Sequence, residues 1–454
     1  MQSFDLIVIG SGSGLDVSSE AADRGLSVAV VEHGPFGGTC LNRGCIPSKM
    51  LIHSADVMET IRRADLFGIT AQVSGVDWDS IVRRVVSTID GDAQAVEEEN
   101  RQHPNITVFK DTARFVGHKV LDVAGERIAA ETIVIAAGTR PRIPDIDGLT
   151  DVPFITSDEA LRLPSQPRRL VIVGGGPIAA ELAHFFGALG TEVTIVHRGP
   201  RLLRLEDDDV SARFTEVYER RFAMILNTVV RRAQRNDGEI VLEVASNGQR
   251  QTLAADALLL AVGRVPNTDL LDVAQTGVAV DERGFIKADK YLETEVPGIW
   301  ALGDIVGRYL LKHSANLEAA HVAHNIFNPK DRVPVDYHAM PHAVFASPQV
   351  ASVGLTERQA REQGLPYVAG TYKYYDTAYG SSIEDTDGFA KALAHRKTGE
   401  ILGCHIIGSE ASMLIQEVAN AMRLRLTTDA ITQSIYVHPA LPEVIQRAFE
   451  SLPI

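Results

Sequence analysis

Residues 4–35 and 169–200 carry the same pattern of apolar and polar positions. FDLIVIGSGSGLDVSSEAADRGLSVAVVEHGP and RLVIVGGGPIAAELAHFFGALGTEVTIVHRGP each begin with an apolar run and turn at a cluster of glycines. Apolar residues then recur at helical spacing as far as Gly25 or Gly190, and a second apolar run follows. This order of strand, glycine turn, amphipathic helix and strand predicts two βαβ units. Two further apolar runs end in similar turns: TIVIAAGTRP (132–141), with Ala137 and Gly138, and DALLLAVGRVPN (256–267), with Gly263. In TEVPGIWALGDIVG (294–307), Gly303 and Asp304 close a short strand. From about residue 336 the texture changes. HAVFASPQVASVGLT and FAKALAHRKTGEILGCHIIG read as strands of an antiparallel sheet, followed by helices.

The glycine turns point to nucleotide binding. Gly10, Gly12 and Gly14 in the first unit, and Gly174 and Gly176 in the second, let backbone approach a pyrophosphate at a helix N-terminus. The two copies then diverge. The first ends in Glu32, an acid suited to a ribose 2′-hydroxyl, whereas the second ends in His197 and Arg198, with Arg201 and Arg204 soon after. Arginines there suit a 2′-phosphate; the plainer reading is an exposed basic loop. The third glycine of the fingerprint is replaced by Leu15 in one copy and Ala179 in the other. Alanine is an accepted variant, but leucine predicts different helix–strand packing near Leu15. Asp304, at the C-terminal end of its strand, would point into the ligand crevice of such a sheet, or else simply form a turn.

Composition narrows the classes. A chain of 454 residues suggests about three domains, and 45% hydrophobic with 23% charged residues is ordinary for a globular protein. The formal charge of −15 argues against a nucleic-acid partner. No apolar run approaches the roughly twenty residues of a membrane span. The N-terminus lacks a basic stretch and a cleavage site, and with few cysteines the expected location is cytoplasmic.

Two of the three cysteines, Cys40 and Cys45, lie five positions apart in GGTCLNRGCIPSKM (37–50). Zinc is disfavoured because the only other cysteine is Cys404 and no His is suitably spaced, so no metal site is expected. A structural staple is disfavoured in a chain with ample core. A regular helix would separate the two Cα atoms by roughly 7.5 Å, beyond normal disulfide reach. A bond between them therefore needs a distorted backbone, which Gly44 permits, and strained disulfides are the reducible ones. The pair reads as redox-active.

Taken together, GGTCLNRGCIPSK, both nucleotide units, ALGD (301–304) and HPALPE (438–443) resemble the class I pyridine nucleotide–disulfide oxidoreductases, the group of glutathione reductase and dihydrolipoamide dehydrogenase. The likeness runs nearly end to end. It implies an α/β fold with two Rossmann-like dinucleotide-binding domains plus a C-terminal α+β dimerisation domain. The FAD domain would be discontinuous, residues 1–147 and 270–335, around an NAD(P) domain at 148–269, with an interface domain at 336–454. The implied cofactors are FAD, contacted also by Gly38 and Thr39, and NADPH, with NADH or NAD as the alternative. Hydride from the nicotinamide would reach the flavin and two electrons the Cys40–Cys45 disulfide. Cys45 would be the thiolate against the flavin and Cys40 the one that attacks substrate. Lys49 and Glu181 match the family's ion pair beside the flavin. His438 would be the acid for the leaving thiolate, its tautomer fixed by Glu443, and would act in the other subunit of a homodimer. The absence of cysteines beyond Cys404 implies a small-molecule disulfide. Segments 309–325 and 377–386 are most similar to the mycothione reductases, while Arg43 is the variant of dihydrolipoamide dehydrogenases acting on lipoyl groups. Pro177 stands where reductases carry a gating aromatic. A non-catalytic flavoprotein subunit is the alternative of another class.

Overall fold

A computed structural model describes residues 1–246 and 249–454, and the chain divides into two compact units. The first unit gathers Met1–Met50, Ser80–Arg142 and Gly263–Tyr337. Its seven-stranded sheet is built on Gln2–Ile9, which pairs in parallel with Val28–Val31 on one side and Glu126–Ile135 on the other. Ile106–Phe109 extends the first side, again in parallel. The long Glu126–Ile135 strand has a divided far edge. Its first half takes an antiparallel meander through Val120–Val123 and Ala113–Gly117, and its second half takes Ile299–Ala301 in parallel. Leu6–Ile9, Val28–Val31 and Ile299–Ala301 are buried throughout, which is why they read as apolar runs without alternation. Strand C-terminal ends thus gather on one side of the sheet, where ligands bind in such folds.

The helix–strand packing near Leu15 does differ from that of the fingerprint. The close approach of helix Gly14–Asp23 to the sheet is made one residue earlier: a Cβ on Gly14 would lie 2.8 Å from Val8 Cγ1 and 2.9 Å from Ala136 Cβ. Gly14 therefore does the work of the missing third glycine, and Leu15 packs partly buried against the core. The helix stops at Gly25, which has φ +86°.

The second unit gathers Leu51–Asp79, Ile143–Val262 and His338–Ile454. Its parallel four-stranded sheet runs Ala223–Ile225, Glu192–Val196, Arg169–Val173, Ala257–Leu260, and is joined by an antiparallel three-stranded sheet over 229–255. The C-terminal part carries the expected antiparallel sheet, five strands in the order His342–Val344, Gln349–Gly354, Ile401–Gly408, Phe389–His395, Tyr367–Lys373. Helices Ala411–Arg423 and Glu443–Glu450 pack on this sheet and close a core that includes Cys404, Leu414, Val418, Val444 and Phe449. No helix among the described residues is long and apolar enough to cross a membrane.

Candidate active site

Four turns of the first unit converge on one crevice. Gly10 has φ +103°, and a Cβ there would meet the Ala136 carbonyl oxygen at 2.4 Å, so only glycine fits. Gly12 faces Gly38, whose own Cβ would stand 2.8 Å from Gly12 Cα. The side chain of Asn42 holds this loop by donating to the carbonyls of Phe36 (2.8 Å) and Gly38 (3.1 Å). Glu32 is buried; it accepts hydrogen bonds from Ser11 N, Ser11 Oγ and Gly34 N at 2.9, 2.8 and 2.7 Å. Arg43 lies over Gly34, where a Cβ would strike its guanidinium. On the opposite turns Asn267 donates to the Ala137 carbonyl (2.7 Å), and its backbone N–H to that of Gly138. Thr139 donates to Asp304 at 3.0 Å and accepts from Arg264 at 2.7 Å. Burial pushes the Asp304 carboxyl up, against the Thr139 hydrogen bond and the Arg264 charge. Gly303 N donates to buried Glu318, which also accepts from the Tyr337 hydroxyl at 2.7 Å. Gly263 stands at φ +118° beside these turns.

The cysteines sit where two helices meet. Gly38–Arg43 ends at Gly44, which is non-helical, and Cys45–Arg62 starts at once. The break brings the side chains of Cys40 and Cys45 into hydrogen-bond contact, as thiols, and the Cys40 thiol is pushed up by that bond, by burial and by Cys45 itself. The charge of Lys312 pulls the other way. Lys312 opens helix Lys312–Phe327 and donates to Ser13 at 2.8 Å; Ser13 donates in turn to Asn316 at 2.9 Å. Cys45 opens an 18-residue helix and is exposed. Thr39 is exposed at the helix start, and half-buried Lys49 lies one turn beyond Cys45.

In the second unit Gly174, at φ +148°, could not carry a Cβ without meeting Ala261 O at 2.3 Å. Gly176 caps helix Pro177–Ala188, and Pro177 at its first turn needs no N–H partner. Ala179 is buried under this helix, as the fingerprint's alanine variant requires. Glu181, also buried, accepts from Phe345 N at 2.9 Å. Lys49 belongs to the first unit and Glu181 to the second. His197 packs against Gly175, and its Nε2 is buried without a hydrogen-bond partner. Burial, then the charges of Arg198 and Arg204, push the His197 pKa down. Both arginines are exposed, whereas Arg201 turns away towards the Asp208 carbonyl, 3.4 Å distant.

His438 and Glu443 meet at 2.9 Å, Nδ1 to Oε1. Glu443 begins helix Glu443–Glu450 and accepts from Ala440 N at 3.0 Å; the His438 contact and this bond hold its carboxyl below the usual range. His438 is 70% exposed, and its free edge opens on a groove of ≈ 420 Å³ lined also by Tyr372, Thr377, Ala378 and Arg447. Among the described residues no cluster of His, Cys, Asp or Glu could hold a metal.

Several residues of these sites were not singled out by the sequence. Asn267, Glu318, Tyr337 and Lys312 act through contacts 15 to 299 positions away. Asn42 acts locally within the cysteine motif, and Asn267 follows a predicted glycine turn, so these two stood where a sequence signal existed.

Two glycine-turn crevices of the dinucleotide-binding type, a thiol pair close enough to form a disulfide and a His–Glu pair point to a redox enzyme of the nucleotide-dependent flavoprotein class. The family follows from comparison. Residues 4–326 match the model of the pyridine nucleotide-disulphide oxidoreductases, and residues 340–449 match the dimerisation domain of the same family. The chain belongs to this family and is an FAD-containing, NAD(P)-dependent disulfide oxidoreductase. It is 42% identical to mycothione reductase of Mycobacterium tuberculosis over all of both chains. It is 35% identical to dihydrolipoyl dehydrogenase of Chlamydia muridarum, over 98% of this chain and 95% of that one. Among solved structures it is similar to the HOCl-induced flavoprotein disulfide reductase RclA from Escherichia coli in a Cu(II) complex, with a TM-score of 0.89, 29% identity and 99% of each chain covered. The residues present fit FAD: the Gly12–Gly38 approach leaves backbone, not side chains, where phosphates would come, and the carboxylates of Glu32 and Asp304 would be available as hydroxyl acceptors.

Proposed function

We propose that the protein is a homodimeric, NADPH-dependent reductase of a small disulfide of the mycothione type. The observation that carries this reading is that His197 packs on Gly175 of the glycine turn, the Leu203 N–H returns to the Gly175 carbonyl, and Arg198 and Arg204 stand exposed on this loop, where an NAD enzyme has no 2′-phosphate to hold. The substrate class is supported by the His438 groove, since Thr377 and Ala378 begin the mycothione reductase-like segment 377–386. The full-length relationship to a mycothione reductase supports the same choice. The competing reading is NAD-dependent oxidation of dihydrolipoyl groups, which Arg43 and the dihydrolipoyl dehydrogenase relatives favour.

In this reading Gly10, Gly12, Gly14, Glu32, Gly38, Thr39, Ala137, Gly138, Gly263, Gly303 and Asp304 hold FAD, which when bound supplies two-electron transfer between nicotinamide and the cysteine pair. Gly174, Gly176, His197, Arg198 and Arg204 hold NADPH, and Lys49 and Glu181 form the ion pair beside the flavin. The Cys40 thiol resists ionisation beside Cys45 and so needs a base. The partner subunit's His438 takes that proton. The Cys40 thiolate then attacks one substrate sulfur, the substrate S–S bond breaks, and the leaving thiolate takes the proton back from the imidazolium. Cys45 next attacks the Cys40 sulfur, closing the intrachain disulfide and releasing the second thiolate, which receives the Cys45 proton. Two thiols leave, and one protein dithiol has become a disulfide. Glu443 orients the imidazole throughout and stabilises its charged form. A pair that must return to the dithiol each cycle suits a reducing compartment, the cytoplasm. The test is a turnover panel of mycothione, lipoamide and glutathione disulfide with both coenzymes. Preferred turnover of lipoamide with the NAD couple would replace this reading by the competing one.

A further inference from the structure

The loop that carries the coenzyme arginines is pinned at both ends. At its near end Leu203, at φ +50°, donates its N–H to the Gly175 carbonyl of the glycine turn at 2.8 Å. Leu202 is held beside it, its N–H donating to Thr215 Oγ1 (3.0 Å) and its carbonyl accepting from Ser211 Oγ (2.7 Å). Two and three residues after Arg204 stand Glu206 and Asp207, 5% and 0% exposed. Buried carboxylates are costly unless fully paired, and these two are paired by the C-terminal sheet. Glu206 faces His342 Nε2 at 2.8 and 3.0 Å and accepts from Ser352 Oγ at 2.8 Å; Ser352 in turn meets His405 Nδ1 at 3.1 Å. Lys391, 3% exposed, meets Asp207 at 2.8 Å and also Asp209 and Glu357 at 2.6 Å each. Arg358 pairs with Asp208.

Resting on the NADPH reading, we propose that Glu206 and Asp207, held by His342, Ser352 and Lys391, are positioning residues that set affinity for the coenzyme 2′-phosphate by fixing Arg204 between two anchors. Geometry supplies one reason. Arg204 is an exposed side chain on a backbone whose neighbours cannot move without breaking buried ion pairs, so the point from which its guanidinium is presented is fixed. Charge supplies the other. The run Glu206-Asp207-Asp208-Asp209 follows Arg204 directly and would repel a phosphate dianion if left free. Lys391, Arg358 and His342 pair with all four carboxylates and offset part of their charge. A core that only needed stability would be served as well by apolar residues.

The experiment measures binding of adenosine 2′-phosphate and adenosine 5′-phosphate to the FAD-loaded dimer by calorimetry, with KM and kcat for both coenzymes. Ser352→Ala removes one hydroxyl from Glu206, Lys391→Met removes the ammonium, and Lys391→Arg restores a cation. In Ser352→Ala and Lys391→Met the Kd for adenosine 2′-phosphate and KM for NADPH should rise about 5- to 30-fold, the loss of one to two charged contacts. Adenosine 5′-phosphate, NADH kinetics and kcat should stay within about twofold, and Lys391→Arg should recover most of the loss. Equal weakening of both nucleotides, or none in either variant, would overturn the proposal. Should Lys391→Met fail to fold, Ser352→Ala decides alone. An unmutated enzyme that binds the two nucleotides equally would sink the NADPH reading itself, and the proposal with it.

Discussion

Cys40 and Cys45 touch the same chemistry from different sides, so single substitutions should separate them. Cys40→Ser is expected to abolish disulfide turnover while leaving NADPH-driven flavin reduction intact in stopped flow. Cys45→Ser should instead remove the long-wavelength absorbance that appears on two-electron reduction. Turnover surviving in Cys40→Ser would reverse the assignment. Arg198→Ala with Arg204→Ala should lower kcat/KM for NADPH by roughly tenfold to a hundredfold and leave NADH untouched. Glu417 gives a pH prediction. Burial pushes its carboxyl up to about 7, against a hydrogen bond from Tyr436. The unfolded chain ionises this group near pH 4.5, so the fold favours the protonated form and loses stability as pH rises towards 7. Between pH 5 and 8 the unmutated protein should lose about 2 kcal/mol relative to Glu417→Gln in chemical denaturation. The cysteines, His438 and Glu443 were legible in the sequence because each lies within a short motif. Lys312 was not, because its approach to Ser13 joins residues 299 positions apart.

At the level of elements, the strand–turn–helix units were legible because buried parallel strands read as apolar runs and glycine turns punctuate them. The altered packing expected at Leu15 takes a definite form. The fingerprint counts positions, whereas packing counts Cβ atoms, and Gly14 meets the close approach that Leu15 could not. The helix break at Gly44 was foreseeable as a possibility from the geometry of a disulfide, though only the fold shows two separate helices there. The glycine loops should be correspondingly intolerant. Gly38→Ala puts a Cβ 2.8 Å from backbone at φ +64°, a strain of about 1–3 kcal/mol that must open the Gly12 approach. FAD content of the purified variant, read from visible absorbance, should fall sharply, while binding of adenosine 2′-phosphate by the second unit persists. Gly117→Ala, which meets no atom within 4 Å, is the matched control and should retain its FAD.

For the molecule as a whole, the proposed mechanism has the exposed edge of His438 serve the Cys40–Cys45 pair of the other subunit. Co-expressed Cys40→Ser and His438→Ala chains, each inactive alone, should form heterodimers with one intact site of two and recover about half the activity. Verified heterodimers without activity would rule out a site shared between subunits. The divided far edge of strand Glu126–Ile135 has a consequence for how such a molecule is made. Half of that edge is satisfied by residues synthesised just before it, but the other half waits for Ile299–Ala301, more than 160 residues later. As the chain leaves the ribosome at about 5–20 residues per second, that half-edge stays open for roughly 8–30 seconds while the parallel strands of the second unit emerge. The nascent protein must therefore keep an apolar strand edge from pairing wrongly throughout that interval. Its first-made domain is among the last to be finished.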